Sequence, residues 1–247
     1  GGGAIYSKSA DLTLRNCVFQ GNVAADGDGG AVWAQGGNVT ILGGEFLGND
    51  AFGYGGAVAV TAAAAAATDA STATTVTATT ARLVIQGGAK FENNTALIGG
   101  AVYCGGVGGT TPDTESEEGG VLITSSTTTT ASCSLSGTQF LSNTATGETA
   151  ETALFDDKSE GVDGGGAVAF QFATANITDS VFFGNYAEFS GGALLGGNGT
   201  DVTIDGGCQF ENNTAVEYGG AIAACSLTLG GGTQLTNNTA TSGGGAV

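Results

Sequence analysis

The chain has 247 residues, and its composition excludes several classes of function. Lys and Arg total 5 against 23 Asp and Glu, which gives a formal net charge of −18. This charge repels phosphate backbones and anionic lipid surfaces, so we expect no nucleic-acid partner. No window approaches about 18 consecutive apolar residues, so we expect no direct membrane insertion in this section. The 47 glycines leave few large side chains for a globular core, which favours a thin core spread along an axis.

Two short motifs recur along the whole chain and indicate a repeat architecture. In the first, a phenylalanine is followed three residues later by an asparagine, and a leucine replaces the phenylalanine once. Its copies are Phe19/Asn22, Phe46/Asn49, Phe91/Asn94, Phe140/Asn143, Phe182/Asn185, Phe210/Asn213 and Leu235/Asn238. The second motif is Gly-Gly-Ala plus an aliphatic residue, with its alanine at Ala4, Ala31, Ala57, Ala101, Ala167, Ala193, Ala221 and Ala246.

The spacing of these motifs sets the length of one repeat at about 26 residues, since 15 residues lead from Ala31 to Phe46 and 11 from Phe46 to Ala57. Each repeat contains three strand-like pieces of about three to five residues, separated by glycine, asparagine or aspartate. Pieces this short cannot form amphipathic helices. Three short strands per repeat predict an all-β fold, a single-stranded parallel β-helix of about seven coils.

A parallel β-helix brings equivalent residues of successive coils into contact, because stacked strands lie about 4.8 Å apart. The sequence therefore predicts an internal stack of the repeat phenylalanines. It also predicts a corner at each repeat asparagine, because asparagine tolerates left-handed backbone angles and its amide can bond to the amide one coil above. We expect the motif residues from Phe19 to Asn238 to form this structural ladder.

Three interruptions break the regular spacing, near residues 61–80, 105–130 and 146–162. The first is rich in alanine and threonine, and the other two carry clusters of acidic residues. Such compositions are typical of solvated loops that leave a stack at its turns. The chain begins and ends inside a repeat, so we expect residues 1–247 to be one continuous β-helix section of a longer protein.

Five cysteines, Cys17, Cys104, Cys133, Cys208 and Cys225, show no Cys-x-x-Cys spacing, and the chain has no histidine. A structural zinc site is therefore not expected. The pattern favours small buried hydrophobic residues, because Cys17 and Cys208 each lie two residues before a repeat phenylalanine. Disulfides are the alternative, and the candidate pairs are Cys104 with Cys133 and Cys208 with Cys225.

Six Asn-x-Thr sequons make N-glycosylation a candidate modification. Their acceptors are Asn38, Asn93, Asn176, Asn198, Asn212 and Asn237. Three of these acceptors stand directly before a ladder asparagine, at the same corner of the coil. The sequence does not fix whether Asn212 faces solvent, and we hypothesise that some acceptors carry glycans in a secreted eukaryotic protein.

The sequence assigns no catalytic, cofactor-binding or metal-binding residue. Asp26, Asp28 and Asp163 precede Gly-Gly-Ala corners and make calcium a minor candidate cofactor, but calcium needs about six to eight oxygen ligands. Surface aspartates that aid solubility are the favoured interpretation. Without histidine there is no Ser-His-Asp or Cys-His arrangement. The pair Asp156-Asp157 leaves a polysaccharide lyase or glycoside hydrolase as the minor enzymatic alternative.

Aromatic residues gather near the Gly-Gly-Ala corners, namely Tyr6, Trp33, Tyr54, Tyr103 and Tyr218. Aromatic rings in a row can line a glycan-binding face. Packing of the same rings against neighbouring coils explains the pattern at least as well.

The paired motifs GGA[ILV] and FxxN resemble those of the chlamydial polymorphic outer membrane proteins. The resemblance runs from Gly2 to Val247, and similar repeats occur in surface or secreted proteins of algae and other microbial eukaryotes. It implies a right-handed β-helix displayed outside the cell, with adhesion as its usual role. The Ala/Thr-rich insertions and the sequons look more eukaryotic than bacterial. No catalytic residues carry over, because the motif is structural.

These observations predict a non-enzymatic, extracellular or cell-surface protein with a structural or adhesive role. Its β-helix would form a rigid rod, filament or appendage component. The expected partners are other copies of the chain or other surface or matrix proteins, joined end to end or laterally, and glycans are a further candidate. The alternative function is a carbohydrate-binding or carbohydrate-active β-helix that processes polysaccharides.

Overall fold

The computed structural model describes residues 1–63, 80–107, 129–147 and 163–247. Within these ranges the chain forms 26 strands and no helix. The strands make three parallel sheets, in which each strand pairs with the equivalent strand of a neighbouring repeat. This stacking confirms the prediction of an all-β solenoid. Among the described residues, no helix is long and apolar enough to cross a membrane.

The first sheet has seven strands, each directly after a Gly-Gly-Ala corner. Its members are β1 (Ile5–Lys8), β4 (Val32–Gln35), β7 (Val58–Thr61), β11 (Val102–Gly105), β15 (Val168–Gln171), β19 (Leu194–Gly196) and β23 (Ile222–Ala224). The third sheet has seven two-residue strands. These are β3 (Val23–Ala24), β6 (Asp50–Ala51), β10 (Thr95–Ala96), β14 (Thr144–Ala145), β18 (Tyr186–Ala187), β22 (Thr214–Ala215) and β26 (Thr239–Ala240).

The second sheet consists of two adjacent rows of strands that meet in the long strands of the first two repeats. The long strands are β2 (Leu12–Gln20) and β5 (Gly37–Leu47). One row continues with β8 (Ala81–Gln86), β12 (Ala131–Ser136), β16 (Ala173–Thr178), β20 (Asp201–Asp205) and β24 (Leu227–Leu229). The other row, which carries the repeat phenylalanines, continues with β9 (Lys90–Glu92), β13 (Gln139–Leu141), β17 (Val181–Phe183), β21 (Gln209–Glu211) and β25 (Gln234–Thr236).

Side chains alternate between the core and solvent along each strand, as the pleat requires. In β8, Leu83 and Ile85 are fully buried, while Arg82 between Ala81 and Leu83 is exposed. The parallel register places like residues on top of one another, so that Ile85 pairs with Ile41 on one side and Leu135 on the other. The core is therefore a bundle of aliphatic columns along the axis.

The repeat phenylalanines form one continuous internal stack. Successive rings from Phe19 to Phe210 have centroids 4.5–5.1 Å apart and planes within 17° of parallel. The five rings from Phe46 onward are fully buried. Leu235 pairs with Phe210 and continues the column. The ring separation equals the strand spacing to within a few tenths of an ångström, because each ring projects from its own strand.

The repeat asparagines form a second internal column in which every polar group of an interior member is bonded. The Asn143 side-chain amide donates to Asn185 Oδ1 at 3.0 Å and to the Phe91 carbonyl at 3.0 Å. Asn143 Oδ1 accepts from the Asn94 amide nitrogens, at 3.0 Å from the backbone and 2.9 Å from the side chain. The same pattern joins each pair of neighbours from Asn22 to Asn238.

The left-handed residue of this corner is not the ladder asparagine, and this part of the sequence prediction was wrong. No ladder asparagine has a positive φ; the residue directly before it does. These preceding residues, which we call the corner column, are Gly21, Gly48, Asn93, Ser142, Gly184, Asn212 and Asn237, with φ between 52° and 64°.

Asn49 shows why the turn is made one residue earlier than predicted. Its side chain is fully buried, and its side-chain amide donates to the Phe19 carbonyl at 3.0 Å and to Asn94 Oδ1 at 3.0 Å. Both acceptors lie inside the coil, so Asn49 must point inward and cannot itself form the exposed turn. Gly48, with φ +58°, takes the left-handed conformation instead.

The two glycines of the Gly-Gly-Ala corner serve different purposes. Gly219 has φ +61°, a conformation that L side chains rarely adopt. At Gly220, a Cβ atom would lie 2.2 Å from the Gly245 carbonyl oxygen of the next repeat. The first glycine therefore allows the turn, and the second allows the backbones of successive repeats to approach.

The three predicted insertions lie mostly outside the described residues, which stop at Ala63, Val107 and Gly147 and resume at Thr80, Thr129 and Asp163. Beside the second interruption, Val107 and Thr129 form an antiparallel bridge, and each backbone N–H donates to the other residue's carbonyl. This pair is set between strands that otherwise run parallel. That the three insertions form loops stays a prediction.

We expect Asn185→Leu to destabilise the fold strongly. The substitution leaves the Asn143 backbone N–H without its acceptor, and it removes the side-chain bonds to the Phe140 carbonyl, Asn143 Nδ2 and Asn213 Oδ1. Each such group costs about 1–3 kcal/mol in the free energy of unfolding, which urea denaturation monitored by circular dichroism will measure. Asn176→Leu, on the solvent face of β16, is the matched control and should change stability little. Equal stability of the two variants would contradict the ladder's role.

Candidate functional site

A disulfide joins the first and second sheets inside one repeat. Cys104 of β11 and Cys133 of β12 are bonded, and both are buried. They face each other across the core, where other repeats place Val60 or Phe170 in the first sheet and Leu83 or Ala175 in the second. The interpretation of these two cysteines as simple hydrophobic residues was therefore wrong. The bond closes the repeat across residues 108–128.

The remaining cysteines are free, so the candidate pair Cys208–Cys225 was wrong. Cys208 is buried at the turn between β20 and β21, and its thiol donates to the Asp205 carbonyl at 3.2 Å. Burial raises the pKa of the Cys208 thiol. Cys225 is exposed at a different corner, between β23 and β24. Cys17, half-buried, occupies the same column as Cys208, which other repeats fill with small residues such as Ala89.

The aromatic residues of the first sheet pack on one another along the axis. Tyr6 lies on Trp33 with centroids 4.8 Å apart, and Tyr54 stacks on Tyr103 at 4.6 Å. Tyr103 is 5% exposed, and the Trp33 indole N–H is buried without a hydrogen-bond partner. Packing of the rings on one another therefore accounts for Trp33, Tyr54 and Tyr103, whereas Tyr6 is 48% exposed and Tyr218 is 57% exposed.

The carboxylates considered for calcium do not converge in the structure. Asp28 accepts a hydrogen bond from the Tyr54 backbone N–H at 3.0 Å, whereas Asp26 is exposed. Burial raises the pKa of the Asp28 carboxyl, and the bond from Tyr54 opposes this shift. Among the described residues, no group of three or more His, Cys, Asp or Glu side chains is placed to hold a metal ion. Asp156 and Asp157 lie outside the described residues.

All six sequon acceptors are exposed. Asn93, Asn212 and Asn237 belong to the corner column, which answers the question that the sequence left open for Asn212. Asn38 and Asn176 lie on the solvent face of the second sheet, and Asn38 donates its side-chain amide to Asp11 Oδ1 at 2.8 Å. Asn198 lies just before β20.

A shallow groove runs along the outside of the third sheet in the first repeats. Its floor is formed by the buried alanines Ala24, Ala51 and Ala96, and Phe52 and Leu97 line one side. Phe52 is half exposed there. The lining is mainly apolar, with Asp50, Thr95 and Thr146 as its polar members.

Comparison with known proteins finds one family. The model of the Chlamydia polymorphic membrane protein repeat matches residues 16–35 and 207–225. Each match begins at the row of the second sheet that carries the repeat phenylalanines. It continues through a ladder asparagine and a Gly-Gly-Ala corner into the next strand of the first sheet. These two stretches are similar to that repeat. The suspected resemblance is thereby confirmed for the repeat unit.

The matched stretches cover a minor part of the chain, and the equivalent residues of the other units occupy the same columns. No curated protein and no solved structure matches the chain.

Removing the disulfide should lower the free energy of unfolding by about 3–4 kcal/mol, the amount expected for closing a loop of this size. The two cysteines are 29 residues apart in sequence. We expect Cys104→Ala with Cys133→Ala to show this loss in urea denaturation and to abolish any effect of reducing agent. Cys225→Ala is the control and should behave like the unmodified chain. If the unmodified chain were equally stable with and without reductant, a structural role for the bond would be contradicted.

The raised pKa of Asp28 predicts a pH-dependent gain in stability for Asp28→Asn. A carboxyl with a raised folded-state pKa binds its proton more tightly when folded, so its contribution to stability is lost as pH rises through that pKa. Asparagine keeps the oxygen that accepts from Tyr54 and removes the charge. The variant should melt higher than the parent at pH 7, and this advantage should vanish well below the ordinary pKa of 3.8. Asp26→Asn should show neither effect.

Proposed function

We propose that the chain is a non-enzymatic structural or adhesive section of a protein displayed at the cell surface. Its units wind as a right-handed helix of about seven coils, which is supported by the seven strands of the first and third sheets. At the spacing of stacked strands, seven units extend about 34 Å along the axis. The polymorphic membrane protein repeats support the surface location.

The observation that carries this proposal is the continuous ladder of axial bonds. Asparagine amides and phenylalanine rings connect every repeat to the next from Asn22 to Asn238. Such a body resists bending and stretching, because each unit is bonded to its neighbours along the axis as well as packed on them. Stiffness of this kind suits a rod that holds a binding surface away from the cell.

The solvent face of the second sheet is the best-suited adhesive surface. One outward column there carries hydroxyl and amide side chains in six of seven repeats, and we call it the outer threonine column. Its members are Thr13, Thr40, Val84, Ser134, Asn176, Thr203 and Thr228. A flat, regularly spaced polar row suits another copy of the chain, a matrix protein or a glycan, each through hydrogen bonds.

Bead adhesion tests this function directly. Beads coated with the folded chain should bind intact cells or extracellular matrix, and antibodies against the chain should label unpermeabilised cells of the source organism. Beads carrying the same chain coupled after unfolding in urea keep its charge and composition, so they control for nonspecific attachment.

Paired variants locate the adhesive surface. Thr203→Lys with Thr228→Lys should abolish bead binding, because two charges interrupt the outer threonine column. Val216→Lys with Thr241→Lys places the same charges on the same two repeats outside the third sheet and should leave binding intact. Equal loss in both variants would contradict the assignment of the face.

A polysaccharide depolymerisation assay examines the alternative function. Release of new reducing or unsaturated ends by the folded chain would overturn the non-enzymatic proposal. Binding on a glycan array without such release would instead identify the adhesion partner as a glycan.

A further inference from the structure

The corner column carries more than the backbone requires. Every member has a positive φ, for which glycine has the lowest conformational cost. Three repeats do use glycine, at Gly21, Gly48 and Gly184, and one uses Ser142. The other three repeats have asparagine at this position. Asparagine can adopt this turn, but the turn does not require it.

The residue two positions later differs between the glycine and the asparagine repeats. After the three glycines it is Val23, Asp50 and Tyr186. After the three asparagines it is threonine in every case, at Thr95, Thr214 and Thr239, and after Ser142 it is also threonine, at Thr144. The third sheet accepts all four residue types at this outward position, so packing does not select threonine. The pairing of asparagine with threonine matches the Asn-x-Thr acceptor sequence, in which the middle residue is the buried ladder asparagine.

The surroundings of Asn93 leave room for a large substituent. Its side chain is exposed beside an open depression lined by Gly21, Gly48 and Leu47. A Cβ atom on either glycine would meet nothing within 4 Å. On the other side along the axis stands Ser142, another small residue. The corner-column neighbours of Asn93, Gly48 and Ser142, are thus both small, and the longer side chains of Gln20, Leu47 and Glu92 line the depression beside them.

Asn212 and Asn237 are in a different position, because they lie in consecutive repeats. The Asn212 backbone N–H donates to the Thr236 carbonyl of the next repeat at 3.0 Å. Adjacent strands are only about 4.8 Å apart, less than the breadth of a sugar ring with its acetamido group. Two glycans on these neighbours would therefore compete for the same space.

We propose that N-linked glycans line this corner of the rod, at Asn93 and at one of the adjacent pair Asn212 and Asn237. In the transfer, the asparagine Nδ2 bonds to the anomeric carbon of an oligosaccharide carried on a polyprenyl pyrophosphate. The bond from that carbon to the pyrophosphate oxygen breaks, the pyrophosphate leaves, and the amide loses one proton. Transfer precedes folding, so the structure acts by determining which modified chains can fold.

Glycans at this corner would make one side of the rod differ from the others. They would cover the junction of the second and third sheets and leave open the outer threonine column, in which Asn176 is the one further acceptor. The rod would then have one shielded side and one side available for contact. This inference does not depend on the proposed adhesive function, since the glycans would be detected whether or not the chain adheres.

Peptide mapping of the folded, secreted full-length chain tests the proposal. Release of N-glycans by an amidase in heavy-oxygen water marks each modified asparagine. We expect Asn93 to be modified and each folded molecule to carry one further glycan on the corner column, divided between Asn212 and Asn237. An unmodified chain from its natural source, or folded molecules modified at all three positions, would overturn the proposal.

Two variants test the crowding directly. Asn212→Gln should shift the second glycan entirely to Asn237, raising the occupancy there. Ser142→Asn creates a new acceptor sequence with Asn143 and Thr144 in the repeat next to Asn93, so glycan should be lost from Asn93 in favour of the new site. Thr95→Val abolishes the Asn93 acceptor while keeping the shape of the side chain, and it controls for effects on folding. Unchanged occupancy of Asn237 in Asn212→Gln, or full occupancy of both Asn93 and the new acceptor in folded Ser142→Asn, would show that adjacent repeats do not exclude each other.

Discussion

The fold depends on hydrogen bonding between identical asparagines along the axis. Each interior amide uses both of its donors and accepts two bonds, and a buried amide with any of these unmade would cost about 1–3 kcal/mol. The ladder therefore fixes the register of the stack, because a slip of one residue would break the bonds at every repeat. Phenylalanine stacking adds burial but does not discriminate between registers as sharply, since dispersion contacts are less directional.

Because of this ladder, only a few positions in each repeat require a particular type of residue. Phe, Asn and the Gly-Gly pair are fixed in each repeat by ring stacking, amide bonding and close backbone approach. The remaining inward positions need only an apolar residue, and outward positions contact solvent and vary more, so the exposed corner column accepts Gly48, Asn93 and Ser142. The described residues stop at Val107 and resume at Thr129, and the stack continues on both sides. The Cys104–Cys133 bond joins the first and second sheets close to these two positions.

Much of the stack was predictable from the sequence, because equivalent residues are in contact and equal spacing is therefore visible as a repeat. Details within a repeat were not. In Asn93-Asn94, either residue is suited to a left-handed turn, and only the inward direction of the amide ladder decides between them. Of the two candidate cysteine pairs, Cys104–Cys133 is formed. The pair Cys208–Cys225 is not, since the two residues are close in sequence but occupy different corners. Phe172, with φ +47°, shows no sequence signal at all, and its ring lies where a side chain on Gly199 of the next repeat would be.

The sides of the solenoid differ in whether they are available for contact with a partner or for modification. Outward residues of the first sheet, including Ala59, Tyr103 and Leu195, are buried in a cluster with Trp33 and Tyr54, so this side is already closed by the chain itself. The corner column is exposed but narrow, and it offers positions for modification rather than a continuous contact. The second sheet is the widest and has a polar outward column in nearly every repeat. A partner that binds along the axis would therefore meet a hydroxyl or amide group at six of the seven strands, and its affinity would grow with the number of repeats it spans.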